Sequence, residues 1–353
     1  MSKVIIAMSG GVDSSVAACL CMEAGHECLG VTMRLFDGEQ ELGTESTCCS
    51  LSDVEDARSV AVRLGMPYRV FNFTGDFENC VINPFIKAYE TGATPNPCIE
   101  CNRSLKFSRL HRRAEELGFD KVATGHYARI SCENGRWLLR KGADPSKDQS
   151  YVLYTLTQRQ LAHTLFPVGE YSKAQIREIA QQHGFINAKK HDSQDICFVP
   201  DGDYAAFIER HTGKKYPEGN FVDLDGNVLG RHKGIIRYTT GQRKGLGLSL
   251  KAPMYVCEKR LESNEVVLCD NERLYSRELD AQDFNWIACD VPQQPLKAHV
   301  KIRYSQTEQP ALLIPTGENT VHIEFDSPQR AVTTGQAAVA YDGDTVIGGG
   351  TII

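Results

Sequence analysis

Short apolar runs and amphipathic stretches alternate along the first half of the chain. The apolar runs predict β-strands at 3–8, 27–33, 68–73 and 121–128. The stretches between and after them predict helices near 14–24, 52–64, 102–117, 149–163 and 172–183. Repeated strand–helix–strand order is typical of a parallel sheet covered on both faces, so this part of the chain is predicted to be α/β.

The pattern changes near Pro200, after which strands and turns dominate. Asp225-Gly226 and Asp342-Gly343 have the composition of tight hairpin turns, and residues 255–269 have the pattern of a further hairpin. Strict alternation with polar residues marks one late segment at Ala298, Val300, Ile302 and Tyr304. Half-buried antiparallel strands in this number predict a small barrel or sandwich.

These patterns divide the chain into three predicted domains. Residues 1–200 form the α/β domain with its parallel sheet and nucleotide site, and residues 201–272 form a small, mostly β domain. Residues 273–353 form the C-terminal β-barrel domain.

The composition is that of an ordinary globular protein: 41% of the 353 residues are hydrophobic and 24% are charged. No run resembles a secretory signal or a membrane span, so we expect a cytoplasmic protein without a membrane partner. In a reducing compartment, most of the 13 cysteines are expected to be buried apolar side chains.

A net charge of −6 argues against nucleic-acid binding, because phosphate contact needs positive surface. Basic residues nevertheless bunch along the chain at Arg109, Arg112 and Arg113, at Lys189 and Lys190, at Arg210, Lys214 and Lys215, and at Arg231, Lys233, Arg237, Arg243 and Lys244. Such runs are usually solvated faces, but they leave a local nucleic-acid-binding patch open.

The stretch "SGGVDSS", Ser9 to Ser15, follows the first predicted strand and opens the first helix. Its glycines let backbone N–H groups turn toward one point, and the helix N-terminus adds partial positive charge, so a phosphate cradle is predicted. The stretch lacks the Gly-Lys-Ser/Thr ending of a Walker A loop. It resembles the SGGxDS loop of the ATP pyrophosphatases (PP-loop enzymes), which implies cleavage of ATP between its α and β phosphates. The plainer alternative is a glycine turn with a helix cap.

The stretch "TPNPCIECN" carries Cys98 and Cys101 at Cys-x-x-Cys spacing, which suits a metal, a redox disulfide or coincidence. We expect an exposed loop, because prolines surround Cys98. Arg103 and Lys106 follow Cys101 at the start of a predicted helix, so its pKa is expected to be lowered and its thiolate to be reactive. The adjacent Cys48-Cys49 pair is expected to be structural.

Six stretches in order resemble the bacterial tRNA-specific 2-thiouridylases, the MnmA/TrmU family: "AMSGGVDSSVAA", "TPNPCIECNRSLKF", "ATGHYAR", "KDQSYVLY", "HDSQDICF" and "GQRKGLG". The resemblance implies an adenine nucleotide alpha hydrolase-like (HUP) first domain. It also implies a reaction in which ATP adenylates O2 of the wobble uridine in tRNAs of the Lys, Glu and Gln type. Sulfur then displaces AMP and leaves 2-thiouridine.

The resemblance further implies roles for individual residues. ATP would be bound by Ala7, Met8, Ser9, Gly10, Gly11, Val12, Asp13 and Ser14, with Met33 and Gly125 at the nucleotide and Mg²⁺ near Asp13. The target base would meet Asn96, Pro97 and Cys98, and the tRNA would touch His126, Lys147, Asp148, Gln149, Arg303, Tyr304 and Gln336. Cys197 would carry a persulfide on which Cys101 acts. The sulfur donor would be a cysteine desulfurase, a sulfur-relay protein or free sulfide. Taken alone, Asp148 also suits a helix cap, and His126 suits a buried core residue.

This chain departs from many members of that family at Cys98, where they have Asp. Cys98, Cys101 and Cys197 together would supply three thiolates, which could ligate a [4Fe–4S] cluster with one iron left open for sulfide. Zinc is a further option for these thiols.

Two other functions remain compatible with the sequence. A nucleotide-binding module without catalysis would bind ATP and release no pyrophosphate. A nitrogen-transferring PP-loop ligase would adenylate its substrate but would not need Cys101.

Overall fold

A computed structural model describes residues 1–36, 51–190 and 196–353. The predictions made for Cys48-Cys49 and for the first part of "HDSQDICF", His191 to Asp195, fall outside these residues. The strands of the first 200 residues are β1 Lys3–Ala7, β2 Glu27–Arg34, β3 Tyr68–Asn72, β4 Lys121–Ala123, β5 Ala128–Glu133, β6 Arg136–Lys141 and β7 Thr164–Leu165. Five of them form one sheet in the order β3-β2-β1-β4-β7, in which every neighbouring pair is parallel. The predicted parallel sheet is therefore confirmed.

Helices connect these strands and cover the sheet. The α-helices are α1 Val12–Glu23, α2 Leu51–Arg63, α3 Thr74–Phe77, α4 Asn83–Glu90, α5 Pro97–Glu100, α6 Leu110–Glu116, α7 Gln158–Ala162, α8 Lys173–Gln182 and α9 Tyr204–Thr212. The segments Glu78–Ile82 and Cys101–Arg109 are wound as π-helix, and short 3₁₀ turns cover Ser150–Leu153, Pro167–Glu170, Ile235–Arg237 and Glu272–Leu274. The core lies between the helices and the sheet, with Val4, Ile5 and Ile6 of β1 fully buried.

Two predicted elements are shorter than the apolar pattern indicated. The strand predicted at 121–128 ends at Ala123, and a loop leads from there into the antiparallel hairpin β5–β6, which the sequence analysis missed. The helix predicted at 149–163 is divided into a 3₁₀ turn and α7. The division has a local cause, because Thr157 caps α7 in a reciprocal pair with Gln160 and so starts a new helix there.

The middle of the chain forms a small four-stranded sheet. Its strands are β8 Gly219–Val222, β9 Val228–His232, β10 Tyr255–Arg260 and β11 Glu265–Cys269, in the order β10-β11-β8-β9. Both predicted hairpins are confirmed, and Gly226 takes φ +85° in the turn between β8 and β9. A helix that the strand pattern did not predict, α9, precedes this sheet.

The last part of the chain is a closed barrel of six antiparallel strands. These are β12 Tyr275–Trp286, β13 Leu296–Lys301, β14 Gln309–Pro315, β15 Val321–Arg330, β16 Ala337–Asp342 and β17 Thr345–Ile352. The sheet runs β12-β15-β14-β13-β16-β17, and β12 also pairs with β17 and closes it. Closure removes the exposed edges that an open sheet would present. The predicted β-barrel is confirmed, although Tyr304 lies beyond the end of β13 and is 45% exposed.

The barrel is joined to the α/β domain through β6. Thr345 of β17 pairs with Arg140 of β6, so the hairpin β5–β6 extends the barrel sheet. Arg140 and Arg129 both donate to the carboxylate of Asp344, at 2.7 and 2.9 Å. None of the helices within the described residues is long and apolar enough to cross a membrane.

Candidate active site

The PP-loop lies at the carboxyl end of β1 and turns directly into α1. Gly10 takes φ +76°, which L-residues with a side chain rarely adopt. A Cβ at Gly10 would lie 2.4 Å from the backbone oxygen of Asp53, so α2 approaches the loop too closely for any other residue. The Ser14 hydroxyl accepts from the Ser9 amide at 3.2 Å and donates to the Gly11 carbonyl at 3.0 Å, which holds the turn closed.

Asp13 lies in the first turn of α1 and is the charged centre of the site. Lys173 donates to both of its carboxylate oxygens, at 2.8 and 2.9 Å, and the Tyr127 hydroxyl donates to one of them at 2.6 Å. The Lys173 side chain is only 12% exposed. An ammonium and a carboxylate therefore face each other beside the N-terminus of α1, where the negative charge of a phosphate is favoured.

The other predicted nucleotide residues surround this turn. Ala7 is partly buried, Met8 and Val12 belong to the core, and Met33 of β2 is 8% exposed. Gly125 follows β4, and a Cβ there would lie 2.7 Å from the Ser14 amide nitrogen. Only a glycine at this position allows the backbone after β4 to pass so close to α1.

Residues that the sequence analysis missed complete the support of the loop. Lys173 and Tyr127 hold Asp13, and the buried Asn187 donates to the Gly10 carbonyl and to the Ser15 hydroxyl, both at 2.9 Å. Lys190 donates to Asp53 at 2.6 Å and to Asp56 at 2.7 Å. No local motif marks these side chains, and only the fold brings them to the loop.

The Cys-x-x-Cys stretch forms the start of a long helix. The Asn96 side chain accepts from the Cys98 amide at 3.1 Å and Pro97 occupies the first turn, an arrangement that caps α5. Cys98 is exposed, whereas Cys101 is buried at 8% exposure. The expectation that the loop exposes Cys101 is therefore wrong. The helix begins at Pro97 rather than at Asn102, so Cys101 already lies inside it and packs into the core with Leu105.

Cys197 lies at the edge of the same hydrophobic core. It is partly buried and packs against the cluster to which Cys101 belongs. Its neighbour Phe198 is fixed in that cluster by edge-on contacts with Phe77 and Phe85, at 5.6 and 5.2 Å between ring centroids. The two cysteines, which lie almost a hundred residues apart in the sequence, are thus attached to one core.

A contact from the barrel fixes the backbone that precedes Cys98. The Thr94 amide donates to the Thr334 carbonyl at 2.9 Å, and the Gln336 side chain donates to the Thr94 carbonyl at 2.7 Å. Gly335, at φ +89°, packs between them, with its ideal Cβ position 3.0 Å from that of Ala93. The structure therefore brings Gln336 to the Cys-x-x-Cys stretch.

Four of the predicted tRNA contacts, His126, Lys147, Asp148 and Gln149, lie in or beside the segment that follows β4. His126 is buried between Phe107 and Phe166 and bonds Thr124 at 2.7 Å, and burial lowers its pKa well below the usual range. Asp148 accepts from the Gly142 and Ser150 amides and from the Ser150 hydroxyl. The Gln149 side chain accepts from the Tyr127 amide, whereas Lys147 is partly exposed. His126 and Asp148 thus occupy the core and cap positions that their residue types also suggested.

Tyr304 and Arg303 connect the barrel to this segment. The Tyr304 hydroxyl donates to the Asp148 carbonyl at 3.1 Å. Partial burial, followed by the charges of Asp148 and Cys98, raises the pKa of Tyr304. Arg303 donates to the carbonyl oxygens of Arg330 and Ala331 inside the barrel.

Many of the basic residues that bunch in the sequence are paired with carboxylates. Arg113 pairs with Glu116, Lys214 with Glu90, and Arg237 with Glu209, at 2.9, 2.7 and 2.9 Å. Arg243 and Lys244 of "GQRKGLG" are exposed. Fewer of these basic residues are therefore available to contact phosphate than the sequence suggested.

Three family descriptions match consecutive parts of the chain. "tRNA methyl transferase HUP domain" matches residues 2–201, "tRNA methyl transferase PRC-barrel domain" matches 205–270, and "Aminomethyltransferase beta-barrel domain" matches 276–352. Among solved structures, the chain resembles a 4-thiouridine synthetase–RNA complex with bound ATP at 19% identity and a TM-score of 0.37, over 60% of this chain and 50% of that one.

Curated relatives match over nearly the whole length. The "tRNA-specific 2-thiouridylase MnmA" of Clostridioides difficile (strain 630) is 51% identical over 99% of this chain and 98% of its own. The proteins of the same name from Acetivibrio thermocellus and Lachnoclostridium phytofermentans are each 51% identical, over 99% and 100% of this chain and the same shares of their own. The chain therefore belongs to the tRNA-specific 2-thiouridylase (MnmA) family of enzymes.

Proposed function

We propose that this protein uses ATP to convert the wobble uridine of tRNAs of the Lys, Glu and Gln type into 2-thiouridine. The observation that carries the proposal is the full-length similarity, at 51% identity, to relatives named as tRNA-specific 2-thiouridylases. An enzyme with ATP and tRNA as substrates would act in the cytoplasm.

The first step we propose is adenylation. The uridine O2 attacks the α phosphate of ATP, pyrophosphate leaves, and AMP becomes the leaving group at C2. Residues Ala7 to Ser14 would bind the phosphates, with Met33 and Gly125 beside the nucleotide. The Lys173 ammonium, which pairs with Asp13 in this structure, could pair with phosphate oxygens instead when ATP binds. Carboxylate and phosphate oxygens are the ligands that Mg²⁺ prefers, so Asp13 fits a role in holding the ion that would neutralise the phosphates.

The second step we propose is sulfur transfer from Cys197. A persulfide on Cys197, loaded by a cysteine desulfurase or a sulfur-relay protein, supplies the outer sulfur. The Cys101 thiolate attacks the inner sulfur, hydrosulfide leaves, and a Cys101–Cys197 disulfide forms that a thiol reductant must reopen. Hydrosulfide then attacks C2 of the activated uridine and releases AMP. The packing of both cysteines against one core supports this pairing.

The contacts with tRNA are proposed for one surface near Cys98. Asn96, Pro97 and Cys98 would meet the target base, and Tyr304 and Lys147 are exposed enough to touch the RNA. Arg303, Gln336, Asp148, Gln149 and His126 are already engaged within the protein. We propose that these five shape the tRNA surface through the backbone they hold.

The experiment for the sulfur chemistry separates its two steps. Pyrophosphate release and 2-thiouridine are measured with ATP, tRNA and a persulfide donor for Cys101→Ser, Cys197→Ser and the control Cys132→Ser, an exposed cysteine of β5. We expect both site variants to release pyrophosphate but form no 2-thiouridine, and the control to behave as wild type. Normal thiolation by either site variant would overturn the proposal.

A second route for the sulfur uses a [4Fe–4S] cluster, because Cys98 adds a third thiol to the set. Cys98 and Cys101 lie three residues apart on one helix, and thiolates are the usual cluster ligands. Cys98, Cys101 and Cys197 would hold the cluster, and its open iron would bind sulfide. Anaerobically purified protein would then contain about four irons per chain, use free sulfide, and lose both with Cys98→Ala. A colourless protein that tolerates Cys98→Ala would exclude this route.

A further inference from the structure

Three potential metal ligands, Cys19, Glu23 and His183, meet at the C-terminal ends of α1 and α8. Cys19 and Glu23 lie one turn apart on α1, and His183 caps the C-terminal end of α8. The Cys19 sulfur is 3.5 Å from the His183 Nε2 and 3.6 Å from a Glu23 carboxylate oxygen. The same Nε2 and oxygen are 3.3 Å apart, so the three atoms form a nearly equilateral triangle.

These separations are those of a zinc coordination sphere. Zinc bonds sulfur at about 2.3 Å, and imidazole nitrogen and carboxylate oxygen at about 2.0–2.2 Å, in tetrahedral geometry. Those lengths place sulfur about 3.5 Å from both other ligands, and nitrogen about 3.3 Å from oxygen. The triangle therefore matches zinc on all three edges, and one ion at its centre would reach all three atoms without moving a helix.

The electrostatics of the position favour a cation. The C-terminal ends of α1 and α8 converge here, and the partial negative charge of both helix dipoles points at the triangle. Within its last turn α1 carries no basic residue, and Glu23 adds a full negative charge. The nearby Arg63 donates to the carbonyl oxygen of His183 and leaves the ring nitrogen to face Cys19.

The three side chains differ in exposure: the cysteine is buried, and the other two are open to solvent. Cys19 is 1% exposed and lies in the interior. The Glu23 side chain is 55% exposed and that of His183 is 36% exposed. An ion can therefore enter from solvent, and water would complete the fourth position.

We propose that Cys19, Glu23 and His183 form a divalent-metal site whose preferred ion is Zn²⁺. The role of the metal follows from the contacts at the opposite ends of α1 and α8. At their N-terminal ends α1 and α8 are joined by the Asp13–Lys173 pair, and the metal would join them at their C-terminal ends. The site thus fixes the relative position of the two helices that carry the charged pair of the PP-loop.

Cobalt spectroscopy tests the site directly. The full chain with Cys98, Cys101 and Cys197 replaced by Ser is stripped of metal and titrated with Co²⁺, so that the thiols of the sulfur chemistry do not contribute. We expect about one Co²⁺ per chain, a thiolate-to-cobalt charge-transfer band and tetrahedral ligand-field bands, all displaced by Zn²⁺. Cys19→Ser abolishes the charge-transfer band, and Cys21→Ser, a buried neighbour on the same helix, retains it.

A thermal measurement on an exposed ligand tests the site even if Cys19→Ser, a substitution of a buried residue, does not fold. Glu23→Gln changes a half-exposed side chain, so its fold is preserved while its affinity for the metal falls at least tenfold. Zn²⁺ is expected to raise the melting temperature of the parent chain and, at the same concentration, to leave that of Glu23→Gln unchanged. Absence of the charge-transfer band, its survival in Cys19→Ser, or an equal zinc effect on both chains would overturn the proposal.

Discussion

The side-chain amide of Gln336 donates a hydrogen bond to the backbone carbonyl of Thr94, with 2.7 Å between nitrogen and oxygen. Gln336 immediately precedes β16 in the barrel, and Thr94 lies four residues before Cys98. With the Thr94–Thr334 backbone bond, this contact makes the barrel part of the support of the Cys-x-x-Cys helix. A surface that binds tRNA on the barrel would therefore be mechanically joined to the sulfur chemistry.

Gln336→Ala should uncouple the barrel from that helix. The lost hydrogen bond is worth about 1 kcal/mol, so the fold is retained. We expect thiolation of tRNA to fall severalfold while ATP binding stays unchanged, because the lost bond supports the backbone before Cys98 and not Asp13 or Lys173. Gln309→Ala is the control, since its side-chain amide donates to the nearby Thr307 carbonyl within the barrel. An equal loss of activity in both variants would refute the coupling.

Lys173→Met should disable the nucleotide site through Asp13. The substitution keeps the length of the side chain but leaves the partly buried Asp13 carboxylate without its ammonium, beside the point where phosphates are expected. We predict a loss of ATP affinity and of pyrophosphate release of at least tenfold, with partial recovery in Lys173→Arg. Lys189→Met, on the exposed surface, should bind ATP as wild type does, by isothermal titration calorimetry. Unchanged pyrophosphate release by Lys173→Met would remove Lys173 from the site.

Gly10→Ala and Gly25→Ala form a matched pair for the PP-loop. Both glycines have positive φ, +76° and +79°, so both alanines carry the same backbone strain of about 1 kcal/mol. A Cβ at Gly10 meets the Asp53 backbone at 2.4 Å, whereas a Cβ at Gly25 meets nothing within 4 Å. Gly10→Ala should therefore lower the melting temperature more and abolish ATP binding, and Gly25→Ala should bind ATP normally. Similar effects of both substitutions would mean that α2 yields to the Cβ.

His111 should make the fold sensitive to acid. It lies on α6 and contacts the Thr164 hydroxyl at 3.1 Å, and burial, aided by nearby His163, lowers its pKa to about 4 from 6.5. The folded state therefore favours the neutral ring, and the unfolded state binds the extra proton between pH 6.5 and about 4. The stabilisation is present above pH 6.5 and is lost on acidification to about pH 4, by on the order of 3 kcal/mol.

The check is the free energy of unfolding by urea at several pH values in that window. His111→Gln should show a shallower loss of stability on acidification than wild type, whatever its stability at neutral pH. His299→Gln, at an exposed position of β13 in the barrel, serves as the control and should keep the wild-type slope. Parallel curves for wild type and His111→Gln would show that His111 titrates normally in the fold.

The sequence by itself determined the elements and the chemistry that depends on neighbouring residues. Apolar periodicity is a local property, so the parallel strands β1 to β4 and the hairpins of the two β domains were predictable, as was the PP-loop turn. The cap of α5 was not predicted, because the prolines around Cys98 indicated an exposed loop. Domain boundaries at 200 and 272 remain predictions. The alternation that suggested a buried Tyr304 misled, because the strand ends at Lys301 and the barrel turns away there.

Only the tertiary structure decided which distant side chains share a site. Lys173 reaches Asp13 across 160 residues, and Gln336 reaches Thr94 across 242. Neither contact can be recognised from a sequence pattern. A single long-range hydrogen bond or ion pair does not restrict which residues lie beside it in the chain. The same holds for the burial of Cys101 and for the triangle of Cys19, Glu23 and His183. Helix packing sets these positions, and the packing depends on the whole folded core.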